Sequence, residues 1–200
     1  MKVYVVIDTN VVVSAMLTHN ADSPTRLLFS KVAEGQVVPM LNDSILEEYV
    51  EVLMRPKFKF APKDINDVCR LFDLRGIKYV PESTGRYFID PDDQIFYETY
   101  LMRDDAYLIT GNLKHYPSEP RILSPHDMMH IIHIAENLSA NILNEPSCEY
   151  ISEERQIQLQ RALEAIDNSS QAALANGTAN IPITEIDKEI RLYRTGKQQR

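Results

Sequence analysis

The chain has 200 residues, of which 44% are hydrophobic and 25% are charged, so one globular domain with an appendage is expected and disorder throughout is excluded. A formal net charge of -8 excludes attachment to nucleic acid by bulk positive charge, so any such contact has to be local. No apolar run reaches the roughly 18 residues of a membrane span, and a strand pattern rather than a signal segment comes first, which predicts a soluble cytoplasmic protein.

Strand and helix patterns alternate along most of the chain. The predicted strands cover residues 3–8, 36–41, 77–80, 106–110 and 121–123. The predicted helices cover residues 24–34, 44–54, 63–75 and 90–103, with a further helix near residue 126. Strands separated by helices form βαβ units, which predicts an α/β fold with a mostly parallel five-stranded sheet between two helical layers. Pro39 indicates a sheet edge or a strand end in the second strand.

The alternation stops after residue 135, which divides the chain into a main domain (1–135), a polar linker (136–150) and a helical tail (151–200). The tail has two amphipathic patterns, one around residues 157–166 and one over 184–193. Two short helices cannot form their own core, so their apolar faces are expected to pack on the main domain, a second copy or a partner. Cys69 and Cys148 lack a short paired spacing, so both are expected to be free thiols.

Two acidic residues lie where a fold of this kind places ligands. Asp8 follows the first apolar strand, and the carboxyl ends of strands are the ligand edge of an open α/β sheet. Glu48 borders the apolar face of its helix, whereas Glu47 and Glu51 fall on the far side. Simpler interpretations are also open: Asp8 caps the next helix, Glu48 is a boundary residue, and Glu47 forms a capping box with Ser44.

A third acid, Asp93, heads an apolar stripe that Phe96, Tyr97 and Tyr100 continue. With Asp90 as the N-cap, Asp93 occupies the third helical position, where the helix dipole alone also favours an acid. Burying several carboxylates together is costly unless a cation neutralises them. The three acids together therefore predict a site for a hard divalent metal ion.

Four short segments, in order over about residues 2–133, carry a family resemblance. They are Ile7-Asp8-Thr9-Asn10, Ser44-Ile45-Leu46-Glu47-Glu48-Tyr49, Asp90-Pro91-Asp92-Asp93 and Leu108-Ile109-Thr110-Gly111-Asn112-Leu113-Lys114-His115. Together they resemble the PIN-domain ribonucleases, and more narrowly the toxin components of bacterial toxin-antitoxin systems.

The resemblance implies roles for particular residues. Asp8, Glu48 and Asp93 would be the catalytic, metal-binding acids, with Mg²⁺ or Mn²⁺ as the cofactor. Substrate-binding roles are implied for three polar residues of these segments, which are Thr9, Asn10 and Thr110. Of these, Thr9 or Thr110 would help to hold the phosphate or a metal-bound water.

Asn112 departs from the wider family pattern, because many PIN domains have a fourth acid at this place. We include Asn112 among the catalytic residues, since an amide oxygen can ligate Mg²⁺, although without the negative charge of a carboxylate. The alternative is a plain turn residue after Gly111. Lys114 and His115 follow directly and are expected to bind the RNA phosphates.

The loop 55–63 combines cations with Phe58 and Phe60, which offers phosphate contacts and base stacking. The simpler interpretation, which we favour, is that both phenylalanines fill the core while the lysines keep the loop soluble.

The predicted function is metal-dependent endonucleolytic hydrolysis of single-stranded RNA that leaves a 5′-phosphate and a 3′-hydroxyl, in a toxin or RNA-processing enzyme. The expected partners are single-stranded RNA, an antitoxin protein and a second copy of the chain, as a homodimer or higher homo-oligomer. The tail distantly resembles the toxin-wrapping end of small antitoxins, and it is expected to cover an apolar groove or the active-site mouth, in cis or across a dimer. The alternative is a catalytically weak RNA-binding or regulatory module, which Asn112 and the acidic composition favour.

Overall fold

A computed structural model describes residues 2–85, 88, 90–140 and 152–198 of the chain. Its centre is a five-stranded sheet in which every pairing is parallel, with the order β3-β2-β1-β4-β5. The strands are β1 (Val3–Ile7), β2 (Val37–Leu41), β3 (Ile77–Lys78), β4 (Tyr107–Ile109) and β5 (Ile122–Leu123). The predicted α/β architecture is confirmed, and β1 is the central strand.

Helices cover both sides of the sheet. They are α1 (Thr9–Leu17), α2 (Pro24–Ala33), α3 (Asp43–Leu53), α4 (Pro62–Arg75), α5 (Asp93–Tyr100), α6 (Pro125–Ala140), α7 (Glu153–Ala175) and α8 (Ile183–Gln198). A single 3₁₀ turn, Leu113–His115, follows β4. No helix in the described ranges is long and apolar enough to cross a bilayer.

The central strand is buried on both faces, as a strand between two helical layers has to be. Val5, Val6 and Ile7 are at most 1% exposed. On β2, Pro39 pairs with Val5 of β1, while β3 pairs only with Met40 and Leu41. Pro39 therefore lies in an interior strand, but β3 does not pair with it. A proline, which has no backbone N–H, is tolerated at such a position.

Two predicted helix starts were wrong. Asn42 rather than Ser44 caps α3, because the Asn42 side chain accepts a hydrogen bond from the backbone of Ile45 at 2.9 Å. Asp93 is the first residue of α5 instead of the third. The helix α6 continues to Ala140, past the domain boundary predicted at residue 135, and the remainder of the predicted linker, with Cys148, lies outside the described residues.

The tail helices pack on the main domain of the same chain. The helix α7 lies against α4, α1 and α2, and α8 lies against α1 and α3. Leu159, Ala162 and Ile166 are buried as the amphipathic pattern predicts, whereas Ile157 is 52% exposed. The tail therefore finds its apolar partner surface in cis.

The aromatic residues of the loop 55–63 belong to the core. Phe58 and Phe60 are 1% and 9% exposed, and their rings stack with centroids 5.8 Å apart. The simpler interpretation of this loop is confirmed, and base stacking on these two rings is not available. Cys69 is a free, partly buried thiol.

Candidate active site

Asp8 lies at the carboxyl end of the central strand and is 2% exposed. It caps α1 through a contact from the backbone N–H of Asn10 at 3.4 Å. Its Oδ2 accepts hydrogen bonds from Thr110 Oγ1 at 2.7 Å and from Asn10 Nδ2 at 3.0 Å. Burial raises the pKa of Asp8, and the positive charge of Arg194 offsets part of that rise. Capping thus does not account for the whole environment of this carboxylate.

Glu48 reaches the same place from α3 and is 5% exposed. Its Oε1 accepts a hydrogen bond from Thr9 Oγ1 at 2.6 Å. The next residue, Tyr49, donates its hydroxyl proton to the carbonyl of Ile7 and so ties α3 to the end of β1. Burial raises the pKa of Glu48, although the charge of Arg194 opposes the rise. The predicted inward direction of Glu48 is confirmed.

Asp93 completes the acidic cluster from the start of α5, with 2% of its surface exposed. Its Oδ2 lies 3.3 Å from His115 Nδ1. Burial and then the negative charge of Asp8 raise the pKa of Asp93 to about 7. Asp8 also raises the pKa of Glu48, so the charge of Asp8 acts on both of the other acids.

Arg194 of α8 lies among these acids and was missed by the sequence analysis. Its guanidinium binds Glu48 through two hydrogen bonds, Nε to Oε2 at 3.1 Å and Nη2 to Oε1 at 2.8 Å. Its Nη1 donates to Asp93 at 2.8 Å and to Asp90 at 2.9 Å. Burial alone would lower the pKa of Arg194, but the charges of Glu48 and Asp93 raise it overall. The arginine is therefore a fixed cation.

The sequence did contain a pattern that points to Arg194. Ile186 and Ile190 are the buried apolar residues of α8, and Arg194 continues their spacing of four residues. A helix places such residues on one face, so the arginine had to face the same way as the isoleucines. Only 4% of its surface is exposed.

Asn112 does not contact the carboxylates of the domain. Its Nδ2 donates to His115 Nε2 at 2.8 Å and to Asp187 of α8 at 3.0 Å. His115 Nε2 is also within 2.9 Å of a donor from Arg191. With two donors directed at Nε2, the ring proton belongs on Nδ1, where it faces Asp93. A catalytic role of Asn112 stays a prediction.

The residues expected to bind substrate divide into two sets. Thr9, Asn10 and Thr110 are at most 1% exposed, and each donates a hydrogen bond to Asp8 or Glu48. Their position indicates that they orient the acids, and a direct contact with RNA stays a prediction. Lys114 is exposed and His115 is half-buried, beside the acidic cluster.

Tyr116 was not identified from the sequence. It is buried, and its hydroxyl lies 3.4 Å from Asp8 Oδ2. A surface cavity of about 270 Å³ is lined by Asp90, Asp93, His115, Arg191 and Arg194 among others. This cavity connects the acidic cluster with solvent.

Residues 4–114 of the chain match the family model of the PIN domain. The chain belongs to the PIN-domain family. No curated protein and no solved structure matches the chain significantly. PIN domains are typically nucleases, and they generally use divalent metal ions. The matched region contains Asp8, Glu48 and Asp93, whereas the tail that supplies Arg194 lies outside it.

The acids of this PIN domain fit a hard dication in chemistry. All are oxygen donors, which Mg²⁺ and Mn²⁺ prefer, and all are buried at the cost of a raised pKa. The guanidinium of Arg194 stands in for such a cation, since it binds Glu48 and Asp93 at once. With Arg194 in place, no group of three His, Cys, Asp or Glu side chains among the described residues has the arrangement of a metal site.

Proposed function

We propose that the protein is a metal-dependent endoribonuclease that hydrolyses phosphodiester bonds of single-stranded RNA, with Mg²⁺ or Mn²⁺ bound by Asp8, Glu48 and Asp93. The supporting observation is that three buried acids meet around one positive charge at the carboxyl edge of the sheet. A nuclease that cleaves through metal activation needs such a set of oxygen ligands and needs no nucleophilic side chain.

The residues around the acids have defined tasks in this proposal. When bound, a divalent metal supplies the charge that activates water and stabilises the transition state of the phosphodiester. Thr110 and Asn10 fix the orientation of Asp8, and Thr9 does the same for Glu48. His115 contacts the Asp93 carboxylate, with Nδ1 3.3 Å from Oδ2. The proposed products carry a 5′-phosphate and a 3′-hydroxyl, as the family resemblance implies.

The route of the RNA follows from the cations near the acids. Arg55 and Lys57 contact Glu189 and Glu185 of α8, and Lys114 and His115 follow Asn112 in the 3₁₀ turn. In an acidic protein, such local cations are where a phosphate backbone can bind. A single strand fits better than a duplex, because the three acids are buried rather than on an open surface.

The proposed biological role is that of a cytoplasmic toxin in a toxin-antitoxin system, with an antitoxin protein and a second copy of the chain as candidate partners. Its test is induced expression of two full-length variants, Arg194→Ala and Asp8→Asn/Arg194→Ala. The first is expected to arrest growth and the second to permit it. Equal growth of both strains would contradict the toxin role, and light scattering of the purified chain checks the oligomer.

A second candidate function is a catalytically weak RNA-binding or regulatory PIN module. Two observations favour it: Asn112 takes the place of a fourth acid, and Arg194 occupies the space between Glu48 and Asp93.

One cleavage assay separates the two functions. The full-length wild type and the Arg194→Ala variant are incubated with unstructured and hairpin RNA, with Mn²⁺ or with excess EDTA, beside Asp8→Asn versions of both. A nuclease cleaves the unstructured RNA with Mn²⁺, and Asp8→Asn abolishes the cleavage. RNA binding without cleavage in both parent proteins, or cleavage that persists in Asp8→Asn, would overturn the proposed enzyme.

A further inference from the structure

The helix α8 places charges of both signs against the site. Arg194 meets the acids, as described above. The acidic residues of α8 lie more than one helical turn before Arg194, and they contact cations and amide groups of the main domain. The helix α8 therefore contacts both parts of the proposed nuclease site, the part that binds metal and the part that binds phosphate.

Two acidic residues of α8 form ion pairs with cations of the loop 55–63. Glu189 accepts hydrogen bonds from Arg55 Nε at 3.1 Å and lies 3.0 Å from Arg55 Nη2. Glu185 forms an ion pair with Lys57, and Glu189 lies 3.7 Å from the same ammonium group. These are contacts of the kind that phosphate oxygens make with arginine and lysine.

A third acid of α8 occupies the centre of the site. Asp187 accepts hydrogen bonds from Asn112 at 3.0 Å and from Asn10 at 3.3 Å. It is 7% exposed, so its carboxylate is buried against these two amides. The Asp187 carboxylate therefore lies between Asn10 of α1 and Asn112 at the start of the 3₁₀ turn.

We propose that α8 is an inhibitor in cis that imitates both ligands of the site, with Arg194 at the position of the metal ion and Glu185, Asp187 and Glu189 along the path of the RNA backbone. This inference rests on the proposed nuclease function. Metal and RNA then bind only to the chain from which α8 has moved away.

The mutual exclusion follows from the contacts of Arg194. Its guanidinium uses both oxygens of Glu48 and one oxygen of Asp93, so a dication has no access to these atoms while the arginine is bound. Because docking of α8 and metal binding exclude each other, a change that weakens the docking is expected to strengthen metal binding by up to the same factor. A helix that is only a structural part of the domain would show no such coupling.

The first test measures binding of Mn²⁺ to full-length protein by electron paramagnetic resonance, without RNA. Arg194→Ala is expected to lower the Kd for Mn²⁺ by about tenfold or more, within the usual range of coupling between sites. The matched control is Lys188→Ala, which removes the same charge from the same helix, at a side chain that is 65% exposed. Its Kd is expected to equal that of the wild type. Equal Mn²⁺ affinity of Arg194→Ala and wild type would overturn the inhibitor.

The second test leaves Arg194 and all the metal-binding acids unchanged. Reversing two charges of α8, in Glu185→Lys/Glu189→Lys, places cations against Arg55 and Lys57 and is expected to release α8, so Mn²⁺ binds more tightly. Adding Arg55→Glu/Lys57→Glu restores the opposite charges and is expected to return the Kd to the wild-type value. A Kd for Mn²⁺ that equals the wild-type value in both variants would contradict the role of the acidic residues.

The outcomes separate this inference from the function on which it rests. Tighter Mn²⁺ binding in both sets of variants without any RNA cleavage supports the inhibitor and refutes the nuclease. Cleavage by the wild type with the same Mn²⁺ dependence as Arg194→Ala supports the nuclease and refutes the inhibitor. Protection of α8 amides from hydrogen exchange gives an independent reading, since added Mn²⁺ is expected to reduce it in the wild type.

Discussion

Arg194 of α8 and Glu48 of α3 form an ion pair with two hydrogen bonds, although the two residues are 146 positions apart in the chain. Both side chains are nearly inaccessible, at 5% and 7% exposed. Each charge is tolerated there because the other is present, so the pair links the stability of the main domain to the docking of its tail.

Removing Arg194 is expected to destabilise the metal-free protein. The Arg194→Ala variant leaves Glu48 and Asp93 buried without a cation, and breaking a buried pair in this way costs about 3 kcal/mol or more of the free energy of unfolding. Urea denaturation in EDTA measures the loss. Lys188→Ala is the control with unchanged stability. A variant as stable as the wild type would show that the pair carries no net stabilisation.

Asp8→Asn is expected to stabilise the fold while it removes the predicted cleavage. Burial raises the pKa of Asp8, so folding disfavours its charged form, and a neutral amide avoids that cost. The asparagine oxygen can still accept from Thr110 and Asn10. We expect the thermal midpoint in EDTA to rise, and each 1 kcal/mol gained in the free energy of unfolding corresponds to about 2–4 °C in a chain of this size.

The control for this prediction is Asp43→Asn. The Asp43 side chain is 90% exposed, so its carboxylate loses little hydration on folding. Its thermal midpoint is expected to stay close to that of the wild type. If the thermal midpoint of Asp8→Asn falls below those of the wild type and of Asp43→Asn, the charge of Asp8 stabilises the metal-free fold.

Asn112→Asp is expected to loosen α8. The amide of Asn112 donates to Asp187 at 3.0 Å, so an aspartate there would bring two carboxylates together in a buried place. Hydrogen exchange of the α8 amides is expected to become faster. Adding Asp187→Asn supplies a new donor and should restore the slow exchange. Unchanged exchange in the single variant would show that this contact does not contribute to docking.

Cys69 is expected to be unreactive in the folded protein. Burial raises the pKa of its thiol from 9.0 to about 12. At pH 8 this leaves roughly a thousandfold less of the nucleophilic thiolate than in the unfolded chain. Alkylation by iodoacetamide, followed by mass spectrometry in a Cys148→Ser background, is expected to be slow in buffer and fast in urea. Equal rates in both would contradict the predicted burial.

The sequence by itself determined the elements of the fold and the direction of its acids. Hydrophobic periodicity sets which face of a helix is buried, so the inward position of Glu48 and the outward positions of Glu47 and Glu51 followed from spacing alone. The place of Asp8 at the ligand edge followed from the apolar strand before it. The cap of α3 did not follow, because Asn42 and Ser44 both suit that role and the backbone decided between them.

Only the tertiary structure decided what the acids bind. Periodicity indicates that Arg194 faces the same way as Ile186 and Ile190, but it contains no information about the surface that this face meets. That surface lies on α1, α3 and α5, and its carboxylates come from positions up to 146 residues away. Local patterns cannot specify such a contact, since it forms only where two separate surfaces match in shape and in charge.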